Sequence, residues 1–198
     1  MSLRLGGAAA ILGGVLFLAG LLVTSINGSD ETFPGAALIF AGTVALLLAL
    51  IGLSSFQARR HPRLIWTAFA VPALGTAVSC VGLIAMAIVG DRPLVAGLSP
   101  WWIWSLGLLA TVLGTALFAL ATYHTRALSR PAAGLLATGS ALLFAVLVVG
   151  YSGLVTAIGG TDVLAPALMV AGLLAFAIGW IALGWTAVRL DRPAAVTA

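Results

Sequence analysis

Long apolar runs alternate with short polar breaks along the whole chain. A transmembrane α-helix needs about 20 apolar residues to cross the roughly 30 Å hydrocarbon core of a bilayer, and six runs meet that length. The breaks between them are too short to fold as separate domains. The pattern therefore predicts an all-α fold, a six-helix transmembrane bundle that forms one domain over residues 1–198. The predicted spans cover residues 6–27, 35–56, 64–89, 101–123, 132–158 and 166–188.

The overall composition also indicates a membrane protein. Hydrophobic residues make up 62% of the chain and charged residues only 7%, whereas a soluble domain carries roughly 25% charged residues. The lipid bilayer is therefore the expected partner of this chain. Its formal net charge of +4 is spread too thinly to form a basic patch, so we expect no nucleic-acid partner.

The arginines predict how the chain is oriented. The chain has no lysine, and only one of its nine arginines, Arg92, falls on the side opposite the others. Because basic residues concentrate in cytoplasmic loops, we expect both termini in the cytoplasm and contacts between the rim arginines and anionic lipid headgroups. The Ala-, Gly-, Leu- and Val-rich composition is typical of a GC-rich bacterial genome, which suggests a bacterial inner membrane. The arginines that share the cytoplasmic side are Arg4, Arg59, Arg60, Arg63, Arg126, Arg130, Arg189 and Arg192.

Two residue types recur at a fixed interval of 66 residues. Prolines open the even-numbered spans, where the first helical turn has no hydrogen bond to lose, and arginines follow the inner ends of the same spans. This spacing suggests three tandem helical hairpins, with repeats over 1–62, 63–131 and 132–198. The alternative is six spans of similar length that obey the same rules for residues at the membrane interface. The recurring residues are Pro34, Pro100 and Pro166, and Arg60, Arg126 and Arg192.

Small residues four apart occur in every span. In lipid, helices associate through close backbone approach rather than through a hydrophobic drive. These pairs therefore predict tight packing within the bundle, and a homo-oligomer face is the alternative. The pairs are Ala10/Gly14, Ala37/Ala41, Ala73/Ala77, Ala110/Gly114, Ala133/Ala137 and Ala171/Ala175/Gly179.

Ionisable residues are absent from the middle of every span. Because buried ionisable groups usually mark ion paths and proton relays, this pattern argues against a proton-coupled pump or a voltage sensor. His61 and His124 lie at the inner rim, and the single cysteine, Cys80, allows no internal disulfide. No catalytic constellation is recognisable, so we expect no enzymatic activity, no cofactor and no metal centre.

One segment inside the membrane carries candidate ligand-binding residues. Pro72 removes a backbone hydrogen bond of the third span, and Thr76, Ser79 and Cys80 follow at helical spacing. Such polar-lined, proline-interrupted helices hold substrate sites in transporters, although a structural kink repaired by threonine hydroxyls explains the same residues. A second candidate is a set of outer-loop carboxylates that could attract a cation. These are Asp30, Glu31 and Asp162, with Asp91 nearby.

Two functional hypotheses follow from the sequence. The first is a non-enzymatic accessory or structural membrane protein, or a membrane-stress component, because buried charge is missing and the loops are short. The second is a small transporter or channel for a neutral or lipid-like solute, with the face from Pro72 to Cys80 lining its path.

Overall fold

The computed structural model describes residues 2–27, 32–90, 92–94, 97–151 and 164–190. It confirms the all-α fold, because six helices in these residues are long and apolar enough to span a membrane. The protein is thus a multi-pass helical membrane protein. The helices are α1 (Leu3–Asn27), α2 (Thr32–Gln57), α3 (Pro62–Val89), α4 (Pro100–Thr125), α5 (Arg130–Tyr151) and α6 (Leu164–Leu190).

Local sequence explains where several helices begin and end. Pro62 and Pro100 are the first residues of α3 and α4, where a missing backbone N–H costs no helical hydrogen bond. Gly90 ends α3 with a positive φ of 67°, and its N–H bonds to the carbonyl of Met86. Arg126 ends α4 in the left-handed conformation with φ 52°. The repeat boundaries suggested by the sequence fall within two residues of the starts of α3 and α5.

The six helices form a closed ring in chain order. Each helix packs against its neighbours in sequence, and α6 returns to α1. Within the described ranges, no extensive contact crosses the middle of the ring. The hairpins α1–α2 and α3–α4 are the most closely packed pairs, and α2–α3 is the least closely packed. We call the end where α2, α4 and α6 terminate the inner end, and the opposite end the outer end.

Glycines seven residues apart hold the α3–α4 hairpin together. Gly75 and Gly82 of α3 face Gly107 and Gly114 of α4, and a Cβ on any of them would overlap the backbone of the opposing helix. Seven residues are close to two helical turns, so such glycines share one face of a helix. Removing their side chains lets the two backbones approach closely, which is how apolar helices gain contact in lipid.

The same contacts recur in all three hairpins. On the odd-numbered helices, Gly13, Gly75 and Gly139 each lie against a residue of the paired helix: Leu46, Thr111 and Phe176 respectively. On the even-numbered helices, Gly42, Gly107 and Gly172 lie against Phe17, Ser79 and Leu143 respectively. The contacts therefore define equivalent positions in the three hairpins. On the even helices these positions are 65 residues apart, one fewer than the interval between the prolines.

Some of the small residues noted in the sequence do not lie in contacts between helices. Ala10, Gly14 and Gly179 do lie in helix contacts. Ala37, Ala41 and Ala77, in contrast, are exposed on the outside of the ring. The glycines spaced seven residues apart, and not those alanines, bring α2 against α1 and α3 against α4.

The inner half of the ring is filled by side chains. Leu53, Phe118 and Leu183 stand at equivalent positions of the three even-numbered helices, and each is completely buried. Leu136 and Ala133 of α5 are also fully buried in the same core. This packing closes the inner half of the bundle around the axis.

Candidate binding cavity

A cavity of about 200 Å³ lies on the axis of the ring, and all six helices line it. It begins above the packed inner half and extends toward the outer end. From Ile39 to Leu50 its wall on α2 covers 11 residue steps, or roughly 16 Å at 1.5 Å per residue. From the deep end outward, the even-numbered helices contribute Leu50, Thr115 and Trp180; Leu46, Thr111 and Phe176; Thr43, Leu108 and Leu173; and Ile39, Trp104 and Met169.

All of the lining residues except Thr76 and Val112 occupy the equivalent positions that the glycine contacts define. Each group of three in the series above holds one residue from each hairpin. The odd-numbered helices follow the same rule with two further groups, which are Phe17, Ser79 and Leu143, and Leu21, Leu83 and Leu147. The cavity therefore lies where the three hairpins converge.

Thr76 lines the cavity beside these groups. Its equivalents are Gly14, which packs against Ile181 of α6, and Ser140, which is completely buried. The Thr76 hydroxyl approaches that of Thr111 on α4, with the two oxygens 3.4 Å apart. On its other side, α3 packs against α2 in the loosest contact of the ring.

Trp180 forms the deep end of the cavity. Its side chain is 1% exposed. The indole stacks on Phe118, with ring centroids 6.0 Å apart and an interplanar angle of 14°. It meets Phe176 edge-on, with centroids 6.4 Å apart. Phe176 in turn contacts Phe17 with ring centroids 5.7 Å apart. The indole Nε1 of Trp180 is buried and has no hydrogen-bond acceptor among the described residues. This residue is not among the candidate binding residues predicted from the sequence.

The hydroxyl groups of the cavity wall are already used as donors. Thr76 Oγ1 donates to the Pro72 carbonyl at 2.7 Å, and Thr111 Oγ1 donates to the Gly107 carbonyl at 2.8 Å. The remaining wall hydroxyls also donate to backbone carbonyls, from Thr43 to Ile39, Ser79 to Trp104 and Thr115 to Thr111. Threonine bonds to the preceding turn are a common way to satisfy a hydroxyl inside a helix. The wall therefore offers an incoming molecule apolar surface and a few oxygen lone pairs.

The residues of the candidate face predicted on α3 do not all lie in one place in the structure. Thr76 and Ser79 line the cavity. Pro72 is fully buried inside the continuous helix, where it packs against Gly114. Cys80 is partly exposed and is not a lining residue. Residues of the other five helices complete the wall. Most of them could not be recognised from the sequence, because those helices are apolar on every side.

The structure does not test the cation site predicted from the outer carboxylates. Asp30, Glu31, Asp91 and Asp162 all lie outside the described residues. Within the part of the chain that is described, no three His, Cys, Asp or Glu residues form a group that could hold a metal ion.

The rim arginines cluster at the inner end. Arg192 lies outside the described residues, and the others are exposed. Arg130 lies over the ring of Tyr123 at 4.7 Å, and Arg189 lies over the ring of Trp185 at 4.8 Å. The exposed arginines at this end are Arg4, Arg59, Arg60, Arg63, Arg126, Arg130 and Arg189.

Comparisons with protein-family models, with curated proteins and with solved structures find no match for this chain. The side chains that surround the cavity are therefore the basis for a proposed function.

Proposed function

We propose that this protein binds a small, neutral and mostly apolar molecule in the cavity between its three hairpins. This is the second hypothesis drawn from the sequence, a carrier or channel for a neutral or lipid-like solute. The observation that carries it is the central cavity itself, because tightly packed interiors contain few voids larger than a water molecule. An engineered apolar cavity of about 150 Å³ binds benzene, so a cavity of about 200 Å³ has room for one ring with a short substituent.

The chemistry of the wall supports a neutral occupant. No charged side chain is among the lining residues, and an ion that entered would lose its hydration without gaining a partner. The apolar groups gain from contact with an apolar ligand through dispersion. A simple accessory or membrane-stress role, the first hypothesis from the sequence, requires no such cavity, although ligand binding is compatible with it. We propose no enzymatic activity.

The proposed orientation places the cavity toward the outer leaflet. The exposed arginines at the inner end support a cytoplasmic location for that end and for both termini, in a bacterial inner membrane. The cavity then extends away from the cytoplasm, and the packed residues Leu53, Phe118 and Leu183 separate it from the inner side.

We also infer that the three hairpins are copies of one unit. The matching glycine contacts and the matching lining positions support this inference. A cavity on the axis follows from such an arrangement, because three similar hairpins that contact each other only at their sides leave a space where they converge.

A binding measurement with α-methylstyrene, an apolar single-ring molecule, tests the proposed function. Saturation-transfer NMR in deuterated detergent should detect its binding to the wild-type protein. Thr111→Phe places in the second hairpin the side chain that Phe176 provides in the third, so it should fill the cavity and weaken binding by about tenfold or more. Thr67→Phe is the matched control, because Thr67 lies on the exposed surface of α3 and its replacement should leave binding unchanged.

Two results would contradict the proposal. One is that the wild-type protein binds no α-methylstyrene although it is folded. The other is that Thr111→Phe and Thr67→Phe bind the probe equally well, since binding would then take place outside the cavity. Either result would leave the accessory role as the better hypothesis.

A further inference from the structure

The hydrogen-bonding groups around the cavity distinguish between classes of neutral ligand. The hydroxyls of Thr43, Thr76, Ser79, Thr111 and Thr115 all donate to backbone carbonyls. They are therefore poor donors toward a ligand. The indole N–H of Trp180 differs from them, because it is buried at the deep end without an acceptor among the described residues.

An unsatisfied N–H in an apolar interior is unfavourable, since the water that bonded it in the unfolded chain has been lost. The equivalent positions in the other hairpins, Leu50 and Thr115, carry no such unmet donor. Phe118 stacks on the Trp180 indole, and Phe176 meets it edge-on. Because Trp180 also lines the cavity, an acceptor bound in the cavity can meet its N–H after a rotation of the indole.

We propose that the ligand is a neutral ring compound that carries a hydrogen-bond acceptor, such as a carbonyl oxygen, and that this acceptor binds the indole N–H of Trp180. The inference rests on the proposed function. The acceptor lies at the deep end and the apolar remainder extends toward the outer end. Phe17, Phe176 and Trp104 contact the ring, because aromatic groups favour edge-to-face and offset contacts with one another.

Acetophenone and α-methylstyrene form a suitable probe pair, since a carbonyl oxygen in the first replaces a CH₂ group in the second. We expect the ratio of their affinities in the wild-type protein to exceed the ratio in Trp180→Phe by about threefold to tenfold, the range of one neutral hydrogen bond. Comparing ratios removes the difference in solvation between the two probes. Trp66→Phe is the matched control and should retain the wild-type ratio, because it removes an exposed indole that does not line the cavity. Trp104→Phe tests the outer level of the cavity.

A second measurement uses the wild-type protein alone. In a protein labelled with ¹⁵N at the tryptophan indoles, Trp180 should give the N–H signal that exchanges most slowly with D₂O, because it is fully buried. Acetophenone should move this signal downfield, and α-methylstyrene should not. This readout remains informative if Trp180→Phe fails to fold.

The possible results separate this inference from the proposed function. If neither probe binds the folded protein, the proposed function fails. If both bind but the affinity ratio is the same in the wild type and Trp180→Phe, the cavity binds apolar molecules and the role of Trp180 is refuted. If Trp104→Phe loses the preference and Trp180→Phe keeps it, the acceptor binds at the outer level and the inference is wrong.

Discussion

Gly114 of α4 lies so close to Pro72 of α3 that a Cβ on residue 114 would overlap the proline nitrogen and ring. Pro72 has no N–H to donate to the preceding turn, and the carbonyl of Pro72 is bonded by Thr76 Oγ1 at 2.7 Å. Pro72 therefore packs against the bare backbone of α4, and the Thr76 hydroxyl bonds within the turn that follows the proline. The equivalent contact in the third hairpin joins Gly179 to Leu136.

This contact predicts that Gly114→Ala destabilises the protein. The methyl group has no flexible side chain to displace and must push the two helices apart, which should lower the free energy of unfolding by about 2 kcal/mol or more. Gly134→Ala is the matched control, because its Cβ would meet only Tyr123 at 3.8 Å, and alanine favours a helix over glycine. Reversible unfolding in mixed micelles measures both. Equal stability of the two variants would show that the hairpin does not depend on this close approach.

Two buried serines should respond to replacement in opposite directions. Ser140 of α5 is completely buried and its hydroxyl has no partner within the described residues, so Ser140→Ala should leave stability unchanged or raise it by up to about 1 kcal/mol. Ser79 donates across the hairpin to the Trp104 carbonyl at 3.1 Å, so Ser79→Ala should lower the free energy of unfolding by about 1 kcal/mol. The same unfolding measurement compares them. A clear loss of stability in Ser140→Ala would mean that its hydroxyl has a partner, such as a bound water.

Hydropathy predicts the helices well, and the physical reason is simple. Polar breaks and interfacial arginines must lie at the membrane surface, so the ends of the six helices agree with the predicted spans to within three residues at most positions. The predicted fifth span extends to residue 158, whereas α5 is described only to Tyr151 and the residues after it lie outside the description.

The cavity cannot be predicted in the same way. When a helix is apolar on every side, its composition does not indicate which face turns to the axis and which to lipid. Thr76 and Ser79 stood out because they are polar, but Leu46, Leu173 and Phe176 are indistinguishable in the sequence from lipid-facing residues. One usable signal was the heptad spacing of glycines, such as Gly6, Gly13 and Gly20 in α1, since it marks the face that contacts the paired helix.

The proposed topology predicts opposite accessibility for two rim arginines. In a Cys80→Ser background, Arg60→Cys should react with a membrane-impermeant maleimide only in inverted membrane vesicles, because it follows α2 at the inner end. Arg92→Cys should react from outside intact spheroplasts, because it follows α3 at the outer end. Both residues are exposed, so neither reaction is blocked by packing. Labelling of both cysteines from the same side would refute the six-span topology. Labelling of each cysteine from the side opposite to the expected one would show that the orientation is the reverse of the proposed one.

Ser79 and Cys80 are neighbours in the chain but belong to different surfaces. Ser79 is buried and lines the cavity, whereas Cys80 is partly exposed and does not line it. Successive residues of a helix point about 100° apart, so a one-residue difference is sufficient to separate a cavity-facing group from a group beside it. A thiol at each position therefore reports on a different environment.

We expect a cavity ligand to protect a thiol at position 79 and not the native thiol at position 80. The first thiol is provided by Ser79→Cys in the Cys80→Ser background, and the second by the wild-type protein. Saturating α-methylstyrene should slow the reaction of the first with methylmercury chloride several-fold, because the probe occupies the space that the reagent must enter. The reaction of Cys80 should be unchanged, as mass spectrometry of the intact protein can measure. Equal protection at both positions would indicate a general effect of the probe on the bundle, and no protection at position 79 would place the probe elsewhere.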